Sequence, residues 1–199
     1  MKKGQFLLLP WLVIFGCAAP YDPLGDYEAL DATTILDAPK PEPGSYAPAN
    51  RGQVERGEYL VELLGCGVCH TEGALNGNAL TELSLAGSKI GIAYTNPLEH
   101  RYPGVVYPPN ITPDAETGIG SWSDQQIADA IRSGLGEHGD RTISVMPWQG
   151  YAGISDEDLA ALVSYLRSIK PVRNRTPDAV PPGTQAPRPY VHFGIYRSR

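Results

Sequence analysis

The pentapeptide Cys66-Gly67-Val68-Cys69-His70 constrains this chain more than any other feature, because it gathers two of three cysteines and one of four histidines into five positions. A thioredoxin-like redox pair requires its cysteines beside a βαβ pattern, and here an amphipathic helical pattern leads in while loops follow. A zinc site requires four ligands at tetrahedral angles. Cys69 and His70 are adjacent and seldom point at one ion, and the chain has no second cysteine pair. A structural disulfide stays open in an oxidising compartment, but it leaves His70 without a role.

Covalent haem attachment gives all three residues different roles. Two thioether bonds hold the porphyrin edge, and the rigid spacing sets the His70 imidazole under the iron. For the sixth ligand, Met146 stands out: if Met1 leaves with an export signal, it is the single methionine of the mature chain, since the whole sequence has 2. A lone methionine usually fills core space. Met146 instead lies in "SVMPWQGY", a polar, glycine-bearing loop between two expected helices. His100, His138 and His192 are the alternatives, and His138 in "LGEHGD" reads most simply as a solvated loop histidine.

The N-terminus supports an oxidising destination. Lys2 and Lys3 precede an apolar run from Phe6 to Phe15, interrupted only by Pro10, which is the pattern of an export signal. That run is shorter than the roughly twenty residues a helix needs to cross a bilayer. "VIFGCAAP" resembles the lipobox of bacterial lipoproteins, which makes residues 1–16 a signal peptide and Cys17 the lipid-bearing first residue of a membrane-anchored protein facing the periplasm or cell exterior. An ordinary cut after Ala19 is the alternative, and it leaves Pro20 as the first residue.

Residues 17–50 are rich in Pro, Ala and acidic side chains and show no sustained period, so they read as a tether, about 100 Å long as polyproline II and about 30 Å as a relaxed coil. The other end, 171–199, is proline-rich and basic, five arginines against Asp178. It is expected to wrap the domain or touch a partner. The block 51–170 carries 8 Lys/Arg against 15 Asp/Glu, a net −7 within a chain of formal charge −6. That balance excludes nucleic acid, whose phosphates require a basic face.

Three helices are expected in this block. The first, about 54–64, puts Leu60, Val61 and Leu64 on one face, with Gly57 one turn earlier, and stops at Gly65. The second starts from Ser123 as N-cap with Gln126 in the box position, Trp122 and Ile127 as a staple, and Gly134 as its stop. The third starts from Ser155 with Asp158 in the box position and continues through Leu159, Leu162, Val163 and Leu166 towards Pro171. Between 71 and 114, "KIGIAY" and "GVVY" suit one short hairpin, and no further strand is expected.

With Gly57, "CGVCH", "PNI" at 109–111, "GIGSW", Met146, "AGI" at 152–154 and "LVSYL" in this order, residues 51–170 resemble a class I cytochrome c domain. "NITPDAETGIGSW" is similar to the cytochrome subunits of membrane-bound sugar and alcohol dehydrogenases. The resemblance implies an all-α fold, with three or more helices around one covalently bound haem c, long loops and proline-rich tails. It also implies that Cys66 and Cys69 carry the haem and that His70 and Met146 ligate the iron. Gly57 would pack against the helix face bearing Leu162 and Tyr165. The Pro109 carbonyl would accept from the free ring N–H of His70. Trp122 would donate its indole N–H to a haem propionate, or serve as a staple on Ile127, or both.

This sequence departs from the family pattern in two ways. The stretch from His70 to Pro109 is far longer than in small mitochondrial-type cytochromes, and the dehydrogenase subunits carry three haem domains where this chain has one "CxxCH". The implied function is single-electron transfer between redox protein partners, such as a membrane-bound dehydrogenase or a respiratory complex, without catalysis by the chain itself. Two other readings remain: a peroxidase-like or gas-binding haem with an open sixth position, and a mainly structural subunit of a respiratory complex.

Overall fold

A computed structural model of the chain describes residues 22–30, 38–45, 50–99, 101–136 and 145–194. The expected signal peptide, Cys17, His100 and His138 lie outside the described residues. The architecture is mainly helical: α1 (Arg51–Leu63), α2 (Cys66–His70), α3 (Asp124–Ser133), α4 (Trp148–Tyr151) and α5 (Asp156–Ser168), with three short strands. No helix among the described residues is long and apolar enough to cross a membrane.

Helices α1 and α5 form the framework. Val54, Gly57, Leu60 and Val61 recur at helical spacing and form the buried stripe of α1. They meet Leu159, Leu162, Val163, Tyr165 and Leu166 of α5 in one core that also takes Ile119 and Ile127. At the crossing, a Cβ on Gly57 would lie 2.0 Å from the carbonyl oxygen of Ala161 and 2.7 Å from Tyr165 Cβ, so only glycine fits. Tyr165 is on the expected face, and the backbone of Ala161 comes nearest of all.

The helix ends follow local chemistry. Ser123 Oγ accepts from the Gln126 amide at 3.2 Å while the Gln126 side chain accepts from the Ser123 amide at 2.7 Å, a closed capping box. Gly134 ends α3 in the left-handed conformation, and Gly65 does the same between α1 and α2. At α5 the box stays half closed. Ser155 Oγ accepts from the Asp158 amide at 3.1 Å, but the Asp158 carboxylate turns to Arg56 Nε on α1 at 2.8 Å and joins the two helices.

The expected hairpin forms from β1 (Gly91–Ala93) and β2 (Val105–Val106), with Ile92 opposite Val106. A third strand, β3 (Tyr190–Val191), pairs in parallel with β1 and comes from the proline-rich tail. Its two residues carry no alternating pattern, so pairing at such sequence distance has no local signal. Val105, Tyr107 and Val180 make a second small core under this sheet.

The described parts of the expected tether lie against the body rather than standing clear of it. Gly44 N–H donates to Ser168 O at 2.8 Å, Lys170 N–H donates to Glu42 O at 3.0 Å, and Lys40 bridges Glu58 and Glu62 of α1 at 3.1 and 2.5 Å. Further upstream, the Tyr27 and Tyr190 hydroxyls are 2.7 Å apart. A proline-rich strand satisfies few of its own backbone groups, and here it finds partners along the end of α5.

Candidate functional site

Gly65, at φ 68, breaks the path of α1 and starts the single-turn α2, which holds the whole Cys-x-x-Cys-His motif. Three-residue spacing on a helical turn puts Cys66 and Cys69 on neighbouring positions of one face. Both are free thiols, and no residue of α2 is fully buried. Burial pushes the Cys66 thiol up to about 11, with nearby Cys69 adding to the shift, and burial raises Cys69 as well. The pair therefore presents neutral thiols on a half-covered face.

His70 Nδ1 lies 2.7 Å from the carbonyl oxygen of Pro109. A carbonyl only accepts, so Nδ1 carries the proton and Nε2 keeps its lone pair. Desolvation lowers the pKa of His70, opposed by the hydrogen bond to Pro109. The outcome is a neutral imidazole, the form that binds metal.

Leu64, Ile111, Trp122, Ile131 and Ile154 pack on the main core while remaining half-buried, so each offers apolar surface of the kind a porphyrin face requires. Among the described residues no group of three or more His, Cys, Asp and Glu side chains is placed to hold a metal ion. Two neutral thiols and one imidazole with a free Nε2 fit a covalently held haem. A cleft of about 680 Å³ between α1, α3 and α5 is a different place: Gln53, Asp124, Arg132 and Arg167 line it, and Cys66, His70 and Met146 do not.

Met146 is half-buried, and its carbonyl accepts from Trp148 N–H at 2.8 Å as α4 begins. Helix α4 is held at both ends. Gly134 (φ +63) leaves room for the Trp148 ring, whose Cδ1 would sit 2.6 Å from a Cβ there. Tyr151 donates to the carbonyl of Leu64 at 3.3 Å, two residues before Cys66, and burial together with the two cysteines raises its phenol pKa. The segment that follows Met146 is thus anchored to the entry of α2. Of the other histidines, His192 directly follows β3 in the chain.

Trp122 packs on the core that contains Ile127, as a staple would. Its carbonyl accepts from Arg167, which also bonds Ile119 O at 2.9 Å and Asp124 at 3.0 Å, so a residue of α5 fixes the loop that carries the indole. Arg167, Tyr151 and Asn110 are site-forming residues that sequence reasoning missed. Asn110 lies inside the quoted "PNI", while the other two partner positions 45 and 87 residues away and leave no local trace.

The family model described as "Cytochrome c" matches residues 54–170, more than half of the chain. The fructose dehydrogenase cytochrome subunit of Gluconobacter japonicus is 35% identical over 172 residues, 84% of this chain and 31% of that protein. The gluconate 2-dehydrogenase cytochrome c subunit of Pantoea cypripedii is 36% identical over 132 residues, covering 66% and 26%. The cytochrome c subunit of alcohol dehydrogenase (quinone) from Gluconobacter oxydans is 34% identical over 134 residues, covering 65% and 25%. The chain thus spans about a third or less of the length of these relatives. It belongs to the cytochrome c family, and that membership implies covalently bound haem c.

Proposed function

We propose that this chain is a membrane-tethered carrier of single electrons, with one haem c on Cys66 and Cys69 and with His70 and Met146 as axial ligands. When bound, the haem supplies a one-electron ferric/ferrous couple. The observation that carries the reading is the 2.7 Å contact from His70 Nδ1 to Pro109 O, beside two free thiols. It fixes the ring, leaves Nε2 available for coordination and strengthens the imidazole as a donor.

The chain's own residues perform the remaining tasks. Met146 would hold the iron through its thioether, a donor that would raise the potential, which suits electron transfer. Leu64, Ile111, Ile131 and Ile154 keep water from the porphyrin faces. Trp122 supplies an indole N–H to a propionate from a loop that Arg167 holds in place. Acylated Cys17 keeps the domain at a bacterial membrane, on the periplasmic or outer side.

The partner we propose is a dehydrogenase, because three of the relatives are named as cytochrome subunits of fructose, gluconate and alcohol dehydrogenases. The acidic block, 8 basic against 15 acidic residues, suits a basic docking face on it. Intact-mass analysis and peptide mapping of the exported protein test the assignment. One haem per chain, on the peptide containing Cys66 and Cys69, is expected. A protein without covalent haem, or with those cysteines joined as a disulfide, contradicts it.

A further inference from the structure

Both hydrogen-bonding handles of His70 lead to the segment that follows α5. The His70 carbonyl accepts from Gly87 N–H at 2.8 Å, and its Nδ1–H donates to Pro109 O at 2.7 Å. Gly87 and Pro109 are themselves packed together: a Cβ on Gly87 (φ +85) would lie 2.8 Å from the Pro109 carbonyl carbon and 2.7 Å from Asn110 N. Behind this pair runs the chain from Val172 to Thr176. Asn174 Nδ2 donates to Ala86 O at 3.0 Å, and Asn110 Nδ2 donates to Val172 O at 2.7 Å. Val172 N–H donates to Thr112 Oγ1 at 3.1 Å, and that hydroxyl donates to Asn110 Oδ1 at 2.8 Å.

The side chains of this network are deeply placed, with Thr112 at 0%, Asn110 at 3% and Asn174 at 8% exposure. A segment that only covered the core would need apolar contacts. Instead it presents buried amides and hydroxyls to the two backbone stretches that grip His70. Buried, satisfied polar networks rigidify what they connect, and loss of one member leaves its partners unpaired.

We infer that the segment Val172–Thr176 is a positioning device for the axial imidazole, in which Asn174 and the Asn110–Thr112 pair hold the Pro109 carbonyl against His70 Nδ1–H and so set the donor strength of His70 towards iron. The inference rests on the reading of His70 as an iron ligand. A hydrogen bond to the far nitrogen of a ligating imidazole raises its basicity, and disruption of such a bond typically changes metal affinity or activity about tenfold or more. A weaker donor stabilises ferric iron less, so loosening the segment moves the potential up.

The test uses full-length holoprotein with Asn174→Ala, Thr112→Val and Thr112→Ser, measuring midpoint potential, urea midpoint and deuterium exchange at the Gly87 amide. Asn174→Ala and Thr112→Val are expected to shift the oxidised-to-reduced equilibrium about tenfold towards reduced, about 59 mV for one electron. Both are also expected to speed Gly87 exchange, while Thr112→Ser, which keeps the hydroxyl, stays at the wild-type values. Thr112→Val preserves side-chain shape, so the test survives if Asn174→Ala fails to fold. A fall in stability with potential and Gly87 exchange unmoved overturns the inference, as does a potential that moves down. A wild type without covalent haem shows up first, as an absent haemochrome spectrum, and defeats the underlying reading instead.

Discussion

Gly57 of α1 and Ala161 of α5 approach so closely that a methyl group on Gly57 would lie 2.0 Å from the Ala161 carbonyl oxygen. This contact sets the helix crossing on which the rest of the core is assembled. Gly57→Ala forces backbone apart rather than a flexible side chain, so destabilisation at or above the upper end of about 1–3 kcal/mol is expected. A urea midpoint equal to wild type would show that the helices can separate at no penalty and that the crossing is not fixed here.

Asp158 provides a pH signature. The hydrogen bond from Arg56 comes first among the causes that hold its carboxyl below the usual range, with their mutual charge and the Ser155 contact assisting. Its folded pKa is lower than its unfolded value. The contribution is therefore complete above the unfolded pKa, near 4, and is lost as pH falls through the folded value. Asp158→Asn should flatten the acid limb of the stability profile, and the difference from wild type should shrink as pH drops. Equal differences at pH 7 and at pH 2 contradict this.

Much of the framework was legible because it is local. Ser123 with Gln126, Gly134, Gly65 and the 3.6-residue pattern of α1 and α5 are read within a few residues of one another, and the ends they mark formed where they were expected, whereas α1 begins at Arg51 rather than about 54 and α5 stops at Ser168, short of Pro171. Gly57 was legible for the same reason, as a missing side chain on an otherwise buried stripe. Asp158 was only half legible: its place in the box was clear, but the pull of Arg56, 102 positions earlier, was not. The docking of 38–45 along α5, strand β3 and the Asn174 network were hidden. Each depends on hydrogen bonds between distant segments, backbone to backbone in the first two and through side chains in the third, in stretches whose proline-rich composition suggests open chain.

Cys17 carries a separate prediction, because the proposed lipid site and the haem motif lie far apart in sequence. Cys17→Ala should release the protein from membranes and leave the haem spectrum intact, since firm anchoring requires acyl chains. Unchanged membrane retention in the variant contradicts lipid attachment at this residue and points to anchoring by a partner or an uncleaved signal.

Met146 is the residue on which the electron-carrier reading depends. Met146→Ala should lower the potential and open the sixth position to water and carbon monoxide, whereas Met146→His should keep six ligands at a lower potential, because imidazole favours ferric iron more than a thioether does.

The most direct measurement is the near-infrared absorption of the oxidised wild-type protein, where a bound thioether gives a weak sulfur-to-iron band. The account predicts that the band is present in wild type and absent from both Met146 variants. A wild type that lacks the band, with a spectrum that responds only to substitution of His138, contradicts it.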